Sequence, residues 1–143
     1  MHKSIRDYCK KIRKKQLEVL RVDKRTGVKF WDLPACASIC HNGDYSRTCK
    51  GYSHKPKGTK WNDVLRRKMV KELGDIGTRS NLGKRFYIGN CAEQHSGNNY
   101  MNKHNERDIS SLHFSETVRP RTMEIIPPCD NCKKLFDTLY NNR

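Results

Sequence analysis

The sequence predicts an α/β domain in which helices at both ends of the chain flank a central sheet. Apolar residues at helical spacing predict one helix near the start, one in the middle and one at the end of the chain. Two strand-like runs around an Asn-Gly pair predict a hairpin, and a further short strand precedes the last helix. A chain of 143 residues is long enough for one such domain with its own core.

The first helix is predicted over residues 4–20. Ser4 can cap its N-terminus, and Asp7 in the first turn favours the helix dipole. Apolar side chains fall on one face, whereas lysine and arginine crowd the remaining surface between Lys10 and Lys15. Such a basic face is typical of a solvated helix, although the total charge of the chain favours contact with phosphate.

A hairpin is predicted over residues 33–52. Asn42-Gly43 lies between its two strands and favours a tight two-residue turn. Three cysteines fall on this hairpin, and we interpret them as small core residues: Cys36, Cys40 and Cys49. The alternative is that Cys36 and Cys40 form half of a zinc site, which would need a second pair of ligands.

An inserted helix is predicted over residues 61–73, and Gly74 ends it. The later elements are a loop over 74–84, a strand or short helix near 112–118, a strand over 122–127 and a final helix over 129–140. The predicted order is therefore helix, hairpin, inserted helix, a further helix near residue 93, strand and final helix.

The chain is strongly basic. Its 30 Lys and Arg residues exceed its 15 Asp and Glu residues, which gives a net charge of +15, and only 34% of its residues are hydrophobic. A charge of this size favours a polyanionic partner, with nucleic acid as the first candidate. A soluble basic surface and an acidic protein partner are the alternatives. No apolar run approaches a membrane span, and the basic N-terminus lacks the apolar stretch of a signal peptide.

Two short motifs carry most of the chemical information. Cys91 and Glu93 form a C-x-E motif, and Pro128 precedes a C-x-x-C pair formed by Cys129 and Cys132. Together the motifs supply three thiolate ligands and one carboxylate. Three protein ligands leave a zinc ion one open position, which is the arrangement of a catalytic site rather than of a closed structural one. A carboxylate two residues after the first ligand can move a proton there.

In these motifs the chain resembles the cytidine deaminase-like superfamily in its three-cysteine form. Within it, the chain is most similar to deaminase domains of bacterial polymorphic toxins, and the YwqJ-like branch is the nearest. The shared motifs cover residues 89–132. The resemblance implies a single deaminase-like domain over 1–143, with a three-layer α/β/α fold, a central mixed sheet and a zinc-motif region over 89–140. The chain stops eleven residues after Cys132. Either the sheet is therefore curtailed at the C-terminus, or residues 102–118 take part in it another way.

The resemblance also implies the reaction and the roles of individual residues. The expected zinc ligands are Cys91, Cys129 and Cys132. Glu93 would move the proton from water to the base as the amino group leaves. Contacts with the base or sugar are expected from Asn90 and from the backbone amide of Ala92. The expected substrate is a base in DNA or RNA, single- or double-stranded, with cytosine favoured over adenine. The expected setting is a toxin delivered into the cytoplasm of a target cell and paired with a cognate immunity protein.

The helix that carries the first motif is predicted from the motif alone. Its residues Gly97, Asn98 and Asn99 are weak helix formers. Glu93 taken alone would be a surface carboxylate that stabilises a helix N-terminus. Beside Cys91, it is better interpreted as the proton carrier.

Other functions stay open at this point. A related enzyme would act on free nucleosides or nucleotides, and a non-enzymatic zinc-stabilised module would only bind nucleic acid. A metal-dependent nuclease toxin fits the charge but lacks a recognisable histidine-rich or paired-carboxylate site. The histidines that can replace a cysteine ligand are His95, His104 and His113, although a lone histidine is more often a surface or core residue. The aromatic residues that can stack on bases are Trp31, Tyr45, Tyr52 and Tyr87, and no site is assigned to them because strand aromatics are mostly core.

Overall fold

The computed structural model describes residues 1–26, 34–136 and 139 of this mixed α/β protein. The α-helices in the described part are α1 (Lys3–Thr26), α2 (Asp63–Leu73), α3 (Ala92–Lys103) and α4 (Asp130–Leu135), and a short 3-10 helix covers Ile109–Ser111. The strands there are β1 (Ala37–His41), β2 (Thr48–Tyr52), β3 (Arg79–Ser80), β4 (Gly83–Tyr87), β5 (His113–Phe114), β6 (Thr117–Arg119) and β7 (Glu124–Ile126). None of the helices among these residues combines the length and the apolar character that crossing a membrane requires.

The main sheet has the strand order β2-β1-β6-β7, and β5 also pairs with β1. Every pairing between its described strands is antiparallel, where the sequence predicted a mixed sheet. A hairpin joins β1 to β2, and a tight turn joins β6 to β7, with the Met123 N–H donating to the Arg119 carbonyl at 2.8 Å. β2 and β6 run in the same direction, but β1 lies between them, so these two strands do not pair. β3 and β4 form a separate two-stranded sheet.

β1 is buried on both sides, because helices lie on both faces of the main sheet. On one face, Ala37 and Ile39 pack with Ile5 and Cys9 of α1. On the other face, Cys40 belongs to a larger core that includes side chains of α2, α3 and α4. The described elements therefore form three layers, and both sequence motifs lie in the layer opposite α1.

Two of the predicted helices are found close to their expected positions. The helix predicted over 4–20 corresponds to α1, which extends further towards the C-terminus. The inserted helix predicted over 61–73 corresponds to α2, which begins two residues later because Asn62 caps it. The Asn62 Oδ1 accepts hydrogen bonds from the backbone N–H groups of Val64 (3.0 Å) and Leu65 (3.3 Å).

The final helix, predicted over 129–140, is shorter than expected within the described residues. α4 ends at Leu135, and Phe136 has an extended backbone with φ −124° and ψ 102°. Residues 137, 138 and 140 of that prediction lie outside the described part of the chain. The side chains of Phe136 and Leu139 are nevertheless buried in the core on the α3 side of the sheet.

The predicted two-residue turn at Asn42-Gly43 is wrong. β1 and β2 are joined by a six-residue loop over 42–47, as the pairing register of the two strands requires. Side chains hold this wider loop, because the Asn42 Oδ1 accepts from the Arg47 N–H (3.3 Å) and its Nδ2 donates to the Ser46 Oγ (2.8 Å). These side-chain bonds replace the backbone bonds of a tight turn.

Strand predictions differ from the structure in further places. The hairpin predicted over 33–52 begins only at Ala37, and its first residue lies outside the described part. The loop predicted over 74–84 contains β3 and the beginning of β4, which pair with each other. These short polar segments have no apolar alternation that would indicate strands. The prediction near 112–118 corresponds to β5 and β6, and that over 122–127 corresponds to β7.

Candidate metal centre

Three cysteines meet where α3 and α4 begin. Cys91 is the N-cap of α3, Cys129 is the N-cap of α4, and Cys132 lies in the first turn of α4. The Sγ atoms of Cys91 and Cys129 are 3.2 Å apart, and those of Cys129 and Cys132 are 3.5 Å apart. All three sulfur atoms lie within 4.8 Å of one another. The fold therefore brings the two sequence motifs into one cluster.

The spacing of the sulfur atoms suits a metal ion better than a disulfide. A disulfide places two sulfurs about 2.05 Å apart. Two thiolates on one tetrahedral zinc ion, each about 2.3 Å from the metal, lie about 3.8 Å from each other. The observed separations of 3.2 and 3.5 Å are much nearer to the second value. The three cysteines can therefore hold a metal ion.

The start of α4 stabilises a thiolate at Cys129. The neighbouring Cys132 and Cys91 side chains, followed by the backbone amides of Cys132 and Asn131, lower the pKa of Cys129. Burial raises the pKa of Cys132, and the hydrogen bond to Cys129 raises that of Cys91. Metal binding needs deprotonated cysteines, so a cation bound by all three sulfurs would replace their protons.

Gln94 supports the cluster from α3, and sequence reasoning missed it. Its side chain is fully buried. The Nε2 donates to the Cys132 Sγ at 3.7 Å, while the Oε1 accepts from the Gly89 N–H at 2.7 Å. The second bond fixes the orientation of the amide, so that its N–H group points at the sulfur. Its position three residues after Cys91 was the available signal, because residues three apart share a helix face.

Glu93 is a buried carboxylate beside the cysteines, not the exposed helix-terminal residue of the alternative interpretation. Only 3% of its surface is accessible. The Thr117 hydroxyl, on β6, donates to the Glu93 Oε1. The Glu93 charge is close enough to contribute to the raised pKa values of Cys91 and Cys132. A buried carboxylate is costly unless it is hydrogen-bonded, and Thr117, which sequence reasoning did not identify, supplies such a bond.

α3 reaches this position because the chain places small residues where helix and sheet approach most closely. A Cβ atom at Gly51 of β2 would overlap the backbone of Ser96. The Ser96 Oγ also lies 2.8 Å from the Ser38 Oγ of β1, in a hydrogen bond that either hydroxyl can donate. This close approach puts the beginning of α3, with Cys91 and Glu93, over the sheet.

The two expected substrate contacts lie at the edge of the cluster. The Asn90 Oδ1 is buried and has no hydrogen-bond partner among the described residues. Its backbone carbonyl accepts from the His54 N–H at 3.1 Å, which fixes the residue in place. Ala92 is buried in the first turn of α3, with 2% of its surface accessible. An unsatisfied buried acceptor at Asn90 is suited to a donor from a ligand.

The three histidines lie apart from the cluster of described ligand atoms. The His95 Nε2 donates to the His54 carbonyl at 3.0 Å, and burial lowers the pKa of His95 to about 4. His104 packs on the Tyr100 ring, with ring centroids 4.6 Å apart. His113 lies on β5 at the far end of β1. The structure thus gathers three cysteines and no histidine at this centre, as far as the described part of the chain extends.

The hairpin cysteines also lie outside the cluster. Cys40 and Cys49 face each other across β1 and β2, and both are buried in the core. Cys36 is half-buried, and its N–H donates to the Ser53 Oγ at 3.1 Å. Among the described residues, neither Cys36 nor Cys40 joins a group of ligands, so the alternative zinc half-site does not form there.

Comparison of the chain with protein-family models, with curated proteins and with solved structures finds no match in any of the three. The class that the structure defines is a mixed α/β protein with a three-cysteine centre that can hold a metal ion.

Proposed function

We propose that the protein is a zinc-dependent hydrolytic deaminase of nucleobases with a cytidine deaminase-like fold. One observation carries the proposal: a buried carboxylate, Glu93, lies beside three cysteine sulfurs at the beginnings of two adjacent helices. The substrate is a base in DNA or RNA, with cytosine favoured over adenine. The net charge of +15 supports a polymeric substrate, because a free nucleotide does not need so many cations.

The donor set of the centre suits zinc. It would be held by the thiolates of Cys91, Cys129 and Cys132. Thiolates are soft ligands that favour zinc, copper(I) and iron–sulfur clusters over most other metals. Among the described residues, no histidine and no carboxylate completes a fourth ligand with these sulfurs. When bound with three protein ligands, zinc supplies a Lewis acid that makes water acidic near neutral pH.

The protein's own residues then hold and move the proton. The Glu93 carboxylate accepts one proton from water and delivers it to the ring nitrogen while the remaining hydroxide adds to the ring carbon. It then takes the second proton from the added hydroxyl group and delivers it to the amino group as the C–N bond breaks. Water supplies the new carbonyl oxygen, and the amino group leaves as ammonia. The Thr117 hydroxyl bonds to one Glu93 oxygen and so orients the other. The Asn90 Oδ1 and the Ala92 N–H contact the base or sugar.

The biological setting is proposed from the resemblance of the two motifs to deaminase domains of bacterial polymorphic toxins. A domain of this class acts as a bacterial toxin that is delivered into the cytoplasm of a target cell. A cognate immunity protein would neutralise it, and an acidic surface on that partner would complement the charge of +15.

Replacement of Glu93 by Gln tests the chemistry. The zinc-loaded wild type is incubated with single-stranded DNA, duplex DNA and RNA, and sequencing reads C-to-T and A-to-G changes. Because general acid–base catalysis contributes about 10²–10⁴-fold, we expect Glu93→Gln to lose conversion by at least that factor while it keeps its zinc. Glu124→Gln, which removes an exposed carboxylate on β7, should convert like the wild type.

Two results would separate the remaining functions. Ammonia release from free nucleosides or nucleotides, without conversion of any polymer, would establish the small-molecule enzyme instead. Tight nucleic-acid binding by wild type and Glu93→Gln alike, with no conversion and no ammonia release, would contradict a deaminase and leave a zinc-stabilised binding module.

A further inference from the structure

A groove of about 690 Å³ opens beside the metal centre. Its described lining consists of residues 55–57 with Ile76, Gly77, Tyr87 and Asn90. Asn90 is the residue before the first cysteine ligand. The groove therefore adjoins the place where the proposed function puts the target base.

Close packing and backbone hydrogen bonds hold the residues around the groove in place. A Cβ atom at Gly89 would lie only 2.9 Å from the Pro56 Cβ and 3.0 Å from the Ile76 Cγ2, so glycine allows both residues to pack closely against the approach to the centre. The Gly77 N–H donates to the Ile88 carbonyl and the Ile88 N–H donates to the Thr78 carbonyl, each at 2.9 Å. The groove is thus formed before any ligand binds.

The chemistry of the groove suits an unpaired nucleotide. Lys55 and Lys57 are exposed, and neither forms a salt bridge with a carboxylate in the described part of the chain. Tyr87 is 44% exposed, and the Arg79 guanidinium lies 5.4 Å from its ring centroid. Among the described residues, the groove lining contains no carboxylate, and the Asn90 Oδ1 is a buried acceptor that lacks a partner there. Cations for phosphate, an aromatic ring for a base and a free acceptor thus lie within one groove.

We propose that this groove binds the nucleotide adjacent to the target base in a single-stranded nucleic acid. Lys55 and Lys57 contact phosphates, and Tyr87 stacks on the neighbouring base. The proposal rests on the proposed deaminase function, because it takes the centre next to Asn90 as the place of the target base. A duplex is disfavoured, since the faces of its bases are already stacked on each other. The site deepens that function by assigning an unpaired strand, rather than a duplex or a free nucleotide, as substrate.

Binding of labelled oligothymidylate to the zinc-loaded full chain tests the groove. Thymine has no amino group, so binding is measured without any deamination. Base–aromatic stacking is lost in Tyr87→Leu, and we expect its dissociation constant to rise about 5- to 100-fold, whereas Tyr87→Phe keeps the ring and stays within about twofold of the wild type. Phe86→Leu is the matched control, because Phe86 is a similarly exposed aromatic (38%) that precedes Tyr87 on β4 and points to the opposite face of the strand.

The lysines are tested through the salt dependence of the same binding. Lys55→Gln combined with Lys57→Gln removes two phosphate contacts, which should reduce the slope of log affinity against log salt by about 1.4. Lys10→Gln combined with Lys11→Gln removes the same charge from α1, on the opposite side of the sheet, and should leave the slope unchanged.

The proposal is overturned if Tyr87→Leu binds oligothymidylate as the wild type does, if Phe86→Leu loses as much, or if both lysine pairs reduce the slope equally. Equal losses of duplex and single-strand binding in Tyr87→Leu would also overturn it. Failure of the groove is distinguishable from failure of the proposed function. Base conversion by a Tyr87→Leu protein with unchanged binding would remove the groove alone, whereas Tyr87-dependent binding without conversion of any base would remove the deaminase alone.

Discussion

Six of the seven cysteines of this protein fall in two groups that differ in what surrounds their sulfur atoms. The metal-centre cysteines are Cys91, Cys129 and Cys132, whose sulfurs meet one another and the amides at the start of a helix. The core cysteines are Cys9, Cys40 and Cys49, which lie among apolar side chains. The neighbouring cysteine side chains and the helix amides lower the pKa of Cys129, whereas burial raises the pKa of the core cysteines and of Cys132.

The difference teaches that the position of a cysteine in its element decides its chemistry. Two of the metal-centre cysteines are N-caps, where backbone N–H groups have no partner within the helix. Cys40 and Cys49 lie within paired strands, where the backbone groups already bond across the sheet. A sulfur at the first kind of position can carry negative charge and bind a cation, whereas one at the second kind serves as a small apolar side chain.

The largest expected effect tests this difference directly, by replacing one cysteine of each group. Cys132→Ala removes a ligand and should cost roughly 3–5 kcal/mol of metal binding, since total binding free energies of about 10–16 kcal/mol are shared among three or four ligands. Cys40→Ala removes a buried thiol that lies outside the group of three sulfurs, and it should keep its zinc with a loss of about 1 kcal/mol in unfolding free energy.

Zinc content per chain, measured after dialysis against a weak chelator, together with unfolding in guanidinium, checks both variants. Equal zinc loss in the two proteins would mean that Cys40 belongs to the centre. Full zinc retention in Cys132→Ala would mean that Cys132 is not a ligand.

The grouping of the cysteines was largely predictable from sequence, because both groups lie in local sequence patterns. The C-x-E and C-x-x-C spacings indicated which three sulfurs lie together, and the strand positions of Cys40 and Cys49 indicated core residues. The structure agrees with both placements. The identity of the metal, the reaction and the substrate stay predictions.

The rest was not predictable, because it depends on contacts between distant segments. α3 contains weak helix formers, yet Asn98 stabilises it through tertiary bonds, with its Oδ1 accepting from the Asn62 N–H (2.7 Å) and its Nδ2 donating to the Lys60 carbonyl (3.1 Å). Thr117 reaches Glu93 only after β6 pairs with β1. The antiparallel order of the sheet likewise follows from β1 lying between β2 and β6, which no local pattern encodes.

The second effect concerns stability at alkaline pH, to which the core cysteines should contribute and the metal-bound cysteines should not. Burial raises the pKa of the fully buried Cys9 to about 11, above the value of about 9 in the unfolded chain. Between pH 9 and 11 the unfolded chain loses this proton while the folded protein keeps it, so stability falls as pH rises. The two-unit difference corresponds to about 2–3 kcal/mol. Metal-bound thiolates carry no proton to lose in this range.

Guanidinium unfolding of zinc-loaded wild type and Cys9→Ala at pH 8 and pH 11 measures this contribution. The wild type should lose about 2–3 kcal/mol more than the variant over that interval. An identical loss in both proteins would show that the buried Cys9 thiol does not control alkaline stability.

The smallest expected effect concerns the hydrogen bond from Gln94 to Cys132, which has no counterpart at the core cysteines among the described residues. Gln94→Met keeps the length of the side chain but removes the N–H that donates to the Cys132 Sγ. Partners of metal ligands typically contribute 10–100-fold to affinity, so we expect the zinc dissociation constant to rise by about that factor. Asn98→Leu is the matched control, because Asn98 is a buried amide on the same helix that bonds to Asn62 and Lys60 instead of to sulfur.

Competition against a chromophoric chelator measures both affinities. Asn98→Leu should lower the free energy of unfolding without a change in zinc affinity. Gln94→Met should mainly lower the zinc affinity. Equal affinities for wild type and Gln94→Met would mean that the helix amides around Cys129 suffice to stabilise the thiolates. The contrast between the two groups of cysteines would then arise from backbone position alone, with no contribution from the neighbouring side chain.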